Sequence, residues 1–146
     1  AMKEPVGVIG ALCADETPLL GLVSVMAPAL AMGNRLVLAA SSPFPLAATD
    51  FYQVLETSDL PAGVVNILTG EASDLAQPLA AHMNVDAVWS FSSSSDLAAT
   101  IEKASALNLK RTWVTNGTAL DWGLDHSRKF LMESTEVKNI WVPYGE

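Results

Sequence analysis

An apolar run that stops at a polar corner and restarts as a second apolar run occupies residues 5–20, PVGVIGALCADETPLL, and limits what the whole chain can become. Residues 6–13 have the length and apolar continuity of a strand covered on both faces. Thr17 followed by Pro18 is an N-cap residue with proline at the first helical position. Strand, tight turn and helix make the first half of a β-α-β unit. In such units ligands sit where the carboxyl ends of strands meet helix N-termini, which makes Ala14-Asp15-Glu16-Thr17 the first place to look for chemistry.

The remaining residues repeat that alternation. A helix over residues 18–32 is apolar nearly all round, contains Pro28 as a possible bend, and ends at Gly33-Asn34. Residues 35–40 read as a second strand, followed by a helix with Ala47, Phe51, Val54 and Leu55 at helical spacing. Residues 64–68 form a third strand, with a weaker helix interrupted by Pro78 behind it. Residues 86–91 form a fourth, leading through Ser92–Ser95 into a helix over 96–107 with Leu97, Ile101 and Ala104 facing inward, and residues 111–115 form a fifth. Each parallel pair needs a crossover, so the expected fold is α/β: a Rossmann-like open parallel sheet of about five strands with helices on both faces. After Asn116-Gly117 the sequence predicts a short helix over 121–134 and a lone strand over 136–144, with Pro143 suited to an edge. The division expected is residues 1–2 as a cloning remnant, 3–120 as the sheet domain, and 121–146 as a short helix with a terminal association strand.

Half of the 146 residues are hydrophobic, enough for one domain with a real core. Sixteen acidic against eight basic residues give a net charge of -8, which argues against nucleic acid and anionic membranes as partners. The longest apolar segment, 19–32, falls short of the roughly 20 residues that span a bilayer. One cysteine excludes an internal disulfide framework, and no signal-peptide pattern opens the sequence, so the expected setting is reducing and cytoplasmic.

The strand ends define a rim with no lysine or arginine. It carries Asp15, Glu16 and Glu71, while Arg35, Lys110 and Arg111 stand at the opposite ends of their strands. Ser92–Ser95 offers hydroxyls and N–H groups to a phosphate, although one serine capping the helix and Asp96 complementing its dipole account for the same residues. Asp15 and Glu16 could hold a cation or exchange protons, but adjacent carboxylates at a turn are more often a solvated helix start. Cys13 is the only thiol, and neither His82 nor His126 is placed by sequence to activate it. No metal site is expected. GxGxxG, P-loop, HExxH and GxSxG motifs are all absent.

The segments EPVGVIG, PLL…APALAMGN, LVLAASSPFPLAA, LPAGVVNILTG, VDAVWSFSSSSDLAATI and NLKRTWVTNG resemble, in order and spacing, the coenzyme-binding domain of the aldehyde dehydrogenase superfamily. STEVKNIWVPYGE resembles that family's C-terminal oligomerisation strand. The arrangement is most similar to the truncated second domain that closes family 16 aldehyde dehydrogenases, and nothing in this sequence matches the segment with the nucleophilic cysteine.

The resemblance implies that most functional positions have changed. The family's oxyanion asparagine lies in Pro-Trp-Asn-Phe-Pro, where this sequence has Ala14-Asp15-Glu16-Thr17-Pro18, and a carboxylate cannot donate to an oxyanion. The ribose-gripping lysine and glutamate fall on Ala39 and Ser42, the glycine-serine of the phosphate turn on Ser92 and Ser93, and the general-base glutamate on Thr115. Ser93 alone keeps its type as a residual cofactor contact. The implied role is a non-catalytic domain for structure and association that binds no cofactor, NAD being expected only in intact members; a vestigial nucleotide-binding regulatory module is the alternative. Its expected partners are a preceding dehydrogenase-like domain of the same protein or a second subunit as well, met through Val137, Ile140, Trp141, Val142 and Tyr144.

Overall fold

The computed structural model describes residues 1–144. Its elements are β1 (Met2–Pro5), β2 (Val8–Leu12), α1 (Pro18–Ala31), β3 (Arg35–Ala39), α2 (Leu46–Glu56), β4 (Val65–Leu68), α3 (Ala72–Ala81), β5 (Ala87–Ser90), α4 (Ser95–Ala106), β6 (Arg111–Val114), α5 (Ser127–Glu133) and β7 (Thr135–Lys138). Five strands form a sheet in the order β4-β3-β2-β5-β6, with every neighbouring pair parallel. This is the expected fold class, and the five expected strands are all present. The chain steps outward from β2 through β3 to β4, then returns to the other side of β2 for β5. The crevice between the carboxyl ends of β2 and β5 is therefore the topological switch point.

Strand alternation divides the core into two layers. Ile9, Ala11, Leu36, Leu38, Ala87 and Trp89 face α1 and α2, while Leu12, Ala39 and Val88 face α3 and α4. Among the expected inward positions, Phe51, Leu55, Leu97 and Ala104 are partly buried against these layers and Ile101 is fully buried, but Val54 lies exposed on α2. At Gly33 (φ +88) the chain turns out of α1 by a paired closure, Gly33 N–H donating to Leu30 O and Asn34 N–H to Ala29 O. Positive φ makes glycine the fitting residue there.

Four local expectations are corrected. Pro78 does not interrupt α3. In α3 the packing of Ala76, Leu79 and Ala80 into the core outweighs the loss of one helical hydrogen bond. The last helix starts at Ser127, not near 121, because Asp121 Oδ1 accepts from Gly123 N–H and Asp125 Oδ1 from Ser127 N–H, holding the backbone in turns. The terminal strand is not alone: β7 pairs antiparallel with β1 in a separate two-stranded ribbon, Met2↔Lys138 through Pro5↔Thr135. Met2, read from sequence as part of a cloning remnant, takes part in that ladder. The strand also stops at Lys138 instead of running to residue 144. The ladder ends at the Met2↔Lys138 pair. Glu4 and Glu136 stand directly opposite in the ribbon, and Lys138 Nζ forms ion pairs with both, relieving the repulsion between them.

Candidate functional site at the carboxyl edge of the sheet

A cavity of about 400 Å³ opens at the switch point, lined by Asp15, Ser42, Glu71, Ala72, Ser92 and Leu97, among others. Its polar groups reach it from four strand ends. Asp15 follows β2, Ser42 follows β3, Glu71 follows β4 and Ser92 follows β5. Among the described residues its lining contains no lysine or arginine.

The side chains are bonded to the backbone of neighbouring strand ends and helix starts. Asp15 Oδ1 accepts from Ser42 N–H at 3.1 Å; Ser42 Oγ in turn donates to Gly70 O at 3.0 Å and accepts from Ala72 N–H at 3.2 Å. One of the free donors at the start of α3, the natural handhold for an anion, is thus taken by Ser42. At the serine corner, Ser94 Oγ caps α4 by accepting from Leu97 N–H. Ser92 Oγ accepts from Ser94 N–H, and Thr115 Oγ1 donates to Ser92 O. Ser93 is exposed and does not line the cavity.

Cys13 lies buried just behind this edge. Burial, and secondarily the negative charge of Asp15, push its thiol up from 9.0 to about 12. His82 Nδ1 accepts from Asn84 N–H, and a ring nitrogen of His126 lies 2.8 Å from Asp121 O. The thiol is accordingly expected to stay unreacted with iodoacetamide at pH 8 in the folded protein and to react once urea unfolds it, as a mass measurement will record. The sign for stability follows. Because the folded value lies above the unfolded one, the contribution of the neutral thiol is full below pH 9.0 and is lost as pH rises toward 12.

The cations stand at the other edge. Lys110 Nζ donates to the carbonyls of His82 and Val85, each at 2.7 Å, and Arg111 donates to Thr135 O and pairs with Glu133 at 3.6 Å. A larger cavity, about 560 Å³, lies between α1 and the lead-in to α5, lined by Leu20, Val23, Ala27, Trp122, His126 and Leu131. No residue pattern marks it, since it depends on where the irregular segment before α5 lies against α1. Of the expected interface residues, Val137 pairs with Lys3 in the ribbon, whereas Trp141 and Tyr144 are 90% and 99% exposed beyond it. Ile140 and Val142 are exposed as well. Among the described residues no group of three or more His, Cys, Asp or Glu could hold a metal ion, and no helix is long and apolar enough to cross a membrane.

A parallel sheet in this strand order, with helices on both faces and a polar cavity at its switch point, defines a Rossmann-like α/β domain. Residues 1–119 match the family model described as "Aldehyde dehydrogenase family", so the chain belongs to that family. It is 34% identical over 116 residues to the NADP/NAD-dependent aldehyde dehydrogenase PuuC of Escherichia coli (strain K12), a match covering 80% of this chain and 23% of PuuC. Among solved structures it is similar to an indole-3-acetaldehyde dehydrogenase in apo form, with TM-score 0.73, 35% identity and coverage of 77% and 26% of the two chains. The lactaldehyde dehydrogenase of Escherichia coli is similar too, with TM-score 0.71, 28% identity and coverage of 77% and 24%. The chain spans about a quarter of the length of these relatives.

Proposed function

We propose that this chain is a non-catalytic aldehyde-dehydrogenase-type domain serving structure and association, of the kind that closes family 16 proteins, in a cytoplasmic setting and without a coenzyme of its own. The observation that carries this reading is the self-bonded carboxyl edge: the Ser42 N–H is engaged by a carboxylate, Asp15, and the Ala72 N–H by the Ser42 hydroxyl. A dinucleotide phosphate entering there meets Asp15 and Glu71 and no cationic side chain. The Cys13 thiol, neutral at any physiological pH, offers no nucleophile, and Thr115 supplies no carboxylate where the family resemblance implies the general base. The exposed apolar side chains of residues 140–144 support association with a dehydrogenase-like unit or a second subunit.

Thermal unfolding with NAD, NADP, ADP or AMP, paired with co-purification, tests both halves. No change in Tm is expected at millimolar nucleotide. A ligand present at 100 times its Kd would stabilise the fold by about 2.7 kcal/mol, and a shift of that size would replace this reading with a vestigial nucleotide-binding regulatory module. Removing residues 139–146, which leaves the β1–β7 ribbon intact, should abolish co-purification with the dehydrogenase-like unit of a family 16 type protein and any self-association. Association that survives the deletion refutes the role given to that segment.

A further inference from the structure

Between β6 and the segment leading to α5, residues 115–118 form a turn closed by Thr118 N–H donating to Thr115 O at 3.0 Å. Its two central residues both have positive φ, Asn116 at 48° and Gly117 at 79°. This is the backbone that an Asn-Gly pair favours. The same pair has a chemical property that neither the fold nor the family role uses. Asn116 and Gly117 are exposed, and among the described residues neither the Asn116 side chain nor the Gly117 N–H has a hydrogen-bond partner. Gly117 has no side chain to shield its own nitrogen, and that nitrogen is the nucleophile nearest in sequence to the Asn116 side-chain carbonyl carbon.

The chain has five other asparagines, and each is followed by a bulky residue: Arg35, Ile67, Val85, Leu109 and Ile140. Asn34 is buried with both side-chain polar atoms engaged, Asn66 and Asn108 donate to backbone carbonyls, and Asn84 and Asn139 precede β-branched residues that crowd the attacking nitrogen.

We propose that Asn116 is this chain's site of spontaneous deamidation and isoaspartate formation. When the turn opens locally, Gly117 N attacks Asn116 Cγ. A new N–Cγ bond forms, the Cγ–Nδ2 bond breaks, and Nδ2 leaves as ammonia with the proton released from Gly117 N. Water then adds to one of the two carbonyls of the five-membered imide. Opening at one carbonyl gives aspartate, and opening at the other gives isoaspartate, in which the main chain runs through the former side chain. Neither step involves oxidation or reduction.

The products alter the rim. A Cβ built on Gly117 would lie 3.4 Å from Ser93 O and 3.6 Å from Ser95 N, so this turn sits against the start of α4. Deamidation puts a carboxylate beside the serine corner and, in the isoaspartate, one extra main-chain methylene inside the turn. The modification thus makes the carboxyl edge still less hospitable to anions.

Incubation of the folded chain at 37 °C and mildly alkaline pH, followed by isoelectric focusing and tryptic mass mapping, tests this. The acidic product should take the net charge from -8 to -9. The peptide covering residues 112–128 should gain the mass of amide-to-acid exchange before any other asparagine-containing peptide, and should become a substrate for isoaspartyl methyltransferase. The Asn116→Gln variant should lose both signals at that peptide. Acid gain appearing first elsewhere overturns the proposal, as does an unmodified 112–128 peptide in folded protein after a synthetic peptide of the same sequence has been converted. These readings involve no nucleotide and no partner, so they stand or fall separately from the proposed function.

Discussion

Truncating Phe130 to alanine is expected to lower the free energy of unfolding by about 4 kcal/mol, as a fall in the urea midpoint at unchanged m-value. Phe130 comes from α5, outside the β-α repeats, yet it is almost fully buried among residues of the sheet. Its ring lies 4.9 Å from that of Trp113, 5.5 Å from Phe91, 6.1 Å from Trp89 and 6.2 Å from Trp122, centroid to centroid. Removing it opens a void bounded by stiff rings that relax poorly, which puts the loss toward the upper part of the range for large-to-small changes. Three of the chain's four tryptophans surround the void, so intrinsic fluorescence should shift to longer wavelength in the folded baseline. A loss below about 1 kcal/mol would mean that α5 is not held to the sheet by this residue.

Asn34→Ala is expected to cost about 3 kcal/mol, the other large effect, because three hydrogen bonds, two of them buried, converge on one amide. Oδ1 accepts from Gly7 N–H, and Nδ2 donates to Ala29 O and Ser134 O, each at 2.9 Å. The side chain ties the end of α1 to the entry of β2 and to the junction of α5 with β7. Alanine leaves Gly7 N–H and the Ser134 carbonyl without this partner in a site 1% exposed to solvent. Asn34→Asp should be more damaging still near neutral pH, since an ionised carboxylate would face two carbonyl oxygens. Chemical denaturation of both variants, with hydrogen exchange at Gly7, checks the assignment. A cost within about 0.5 kcal/mol of zero would show that the amide is dispensable.

The parallel sheet was legible in the sequence because strands covered on both faces declare themselves as continuous apolar runs, as in residues 6–13 and 35–40. The position of the rim followed directly, since it is where those runs stop. Its internal bonding did not. That Asp15 would reach Ser42 N–H depends on the spacing of strand ends across the sheet, a three-dimensional quantity. The absence of a helix at 121–126 turned on which acceptor two aspartates would find, and period alone cannot see that competition. The ribbon escaped for another reason. Met2–Pro5 is short, charged and closed by proline, with none of the alternation that marks a strand, and its partner lies more than a hundred residues away. Asn34 beside Gly33 read as a helix terminator, and it is one, but its side chain also joins segments that no local pattern connects.

The ribbon also decides how this domain responds to tension. Met2 and Lys138 face each other at one end of an antiparallel pair whose other end is Pro5↔Thr135. A pull applied through the residues flanking Met2 and Lys138 therefore acts across the ladder, so that its bonds rupture one after another at low force, as a zipper opens. The peeling reaches Ser134, whose carbonyl is held by Val6 N–H and by the Asn34 amide. Beyond that clasp the same pull draws on α5 with the aromatic cluster beneath it and, through Val6 and Gly7, on β2 at the centre of the sheet, so the ribbon yields first, as a soft extensible lead.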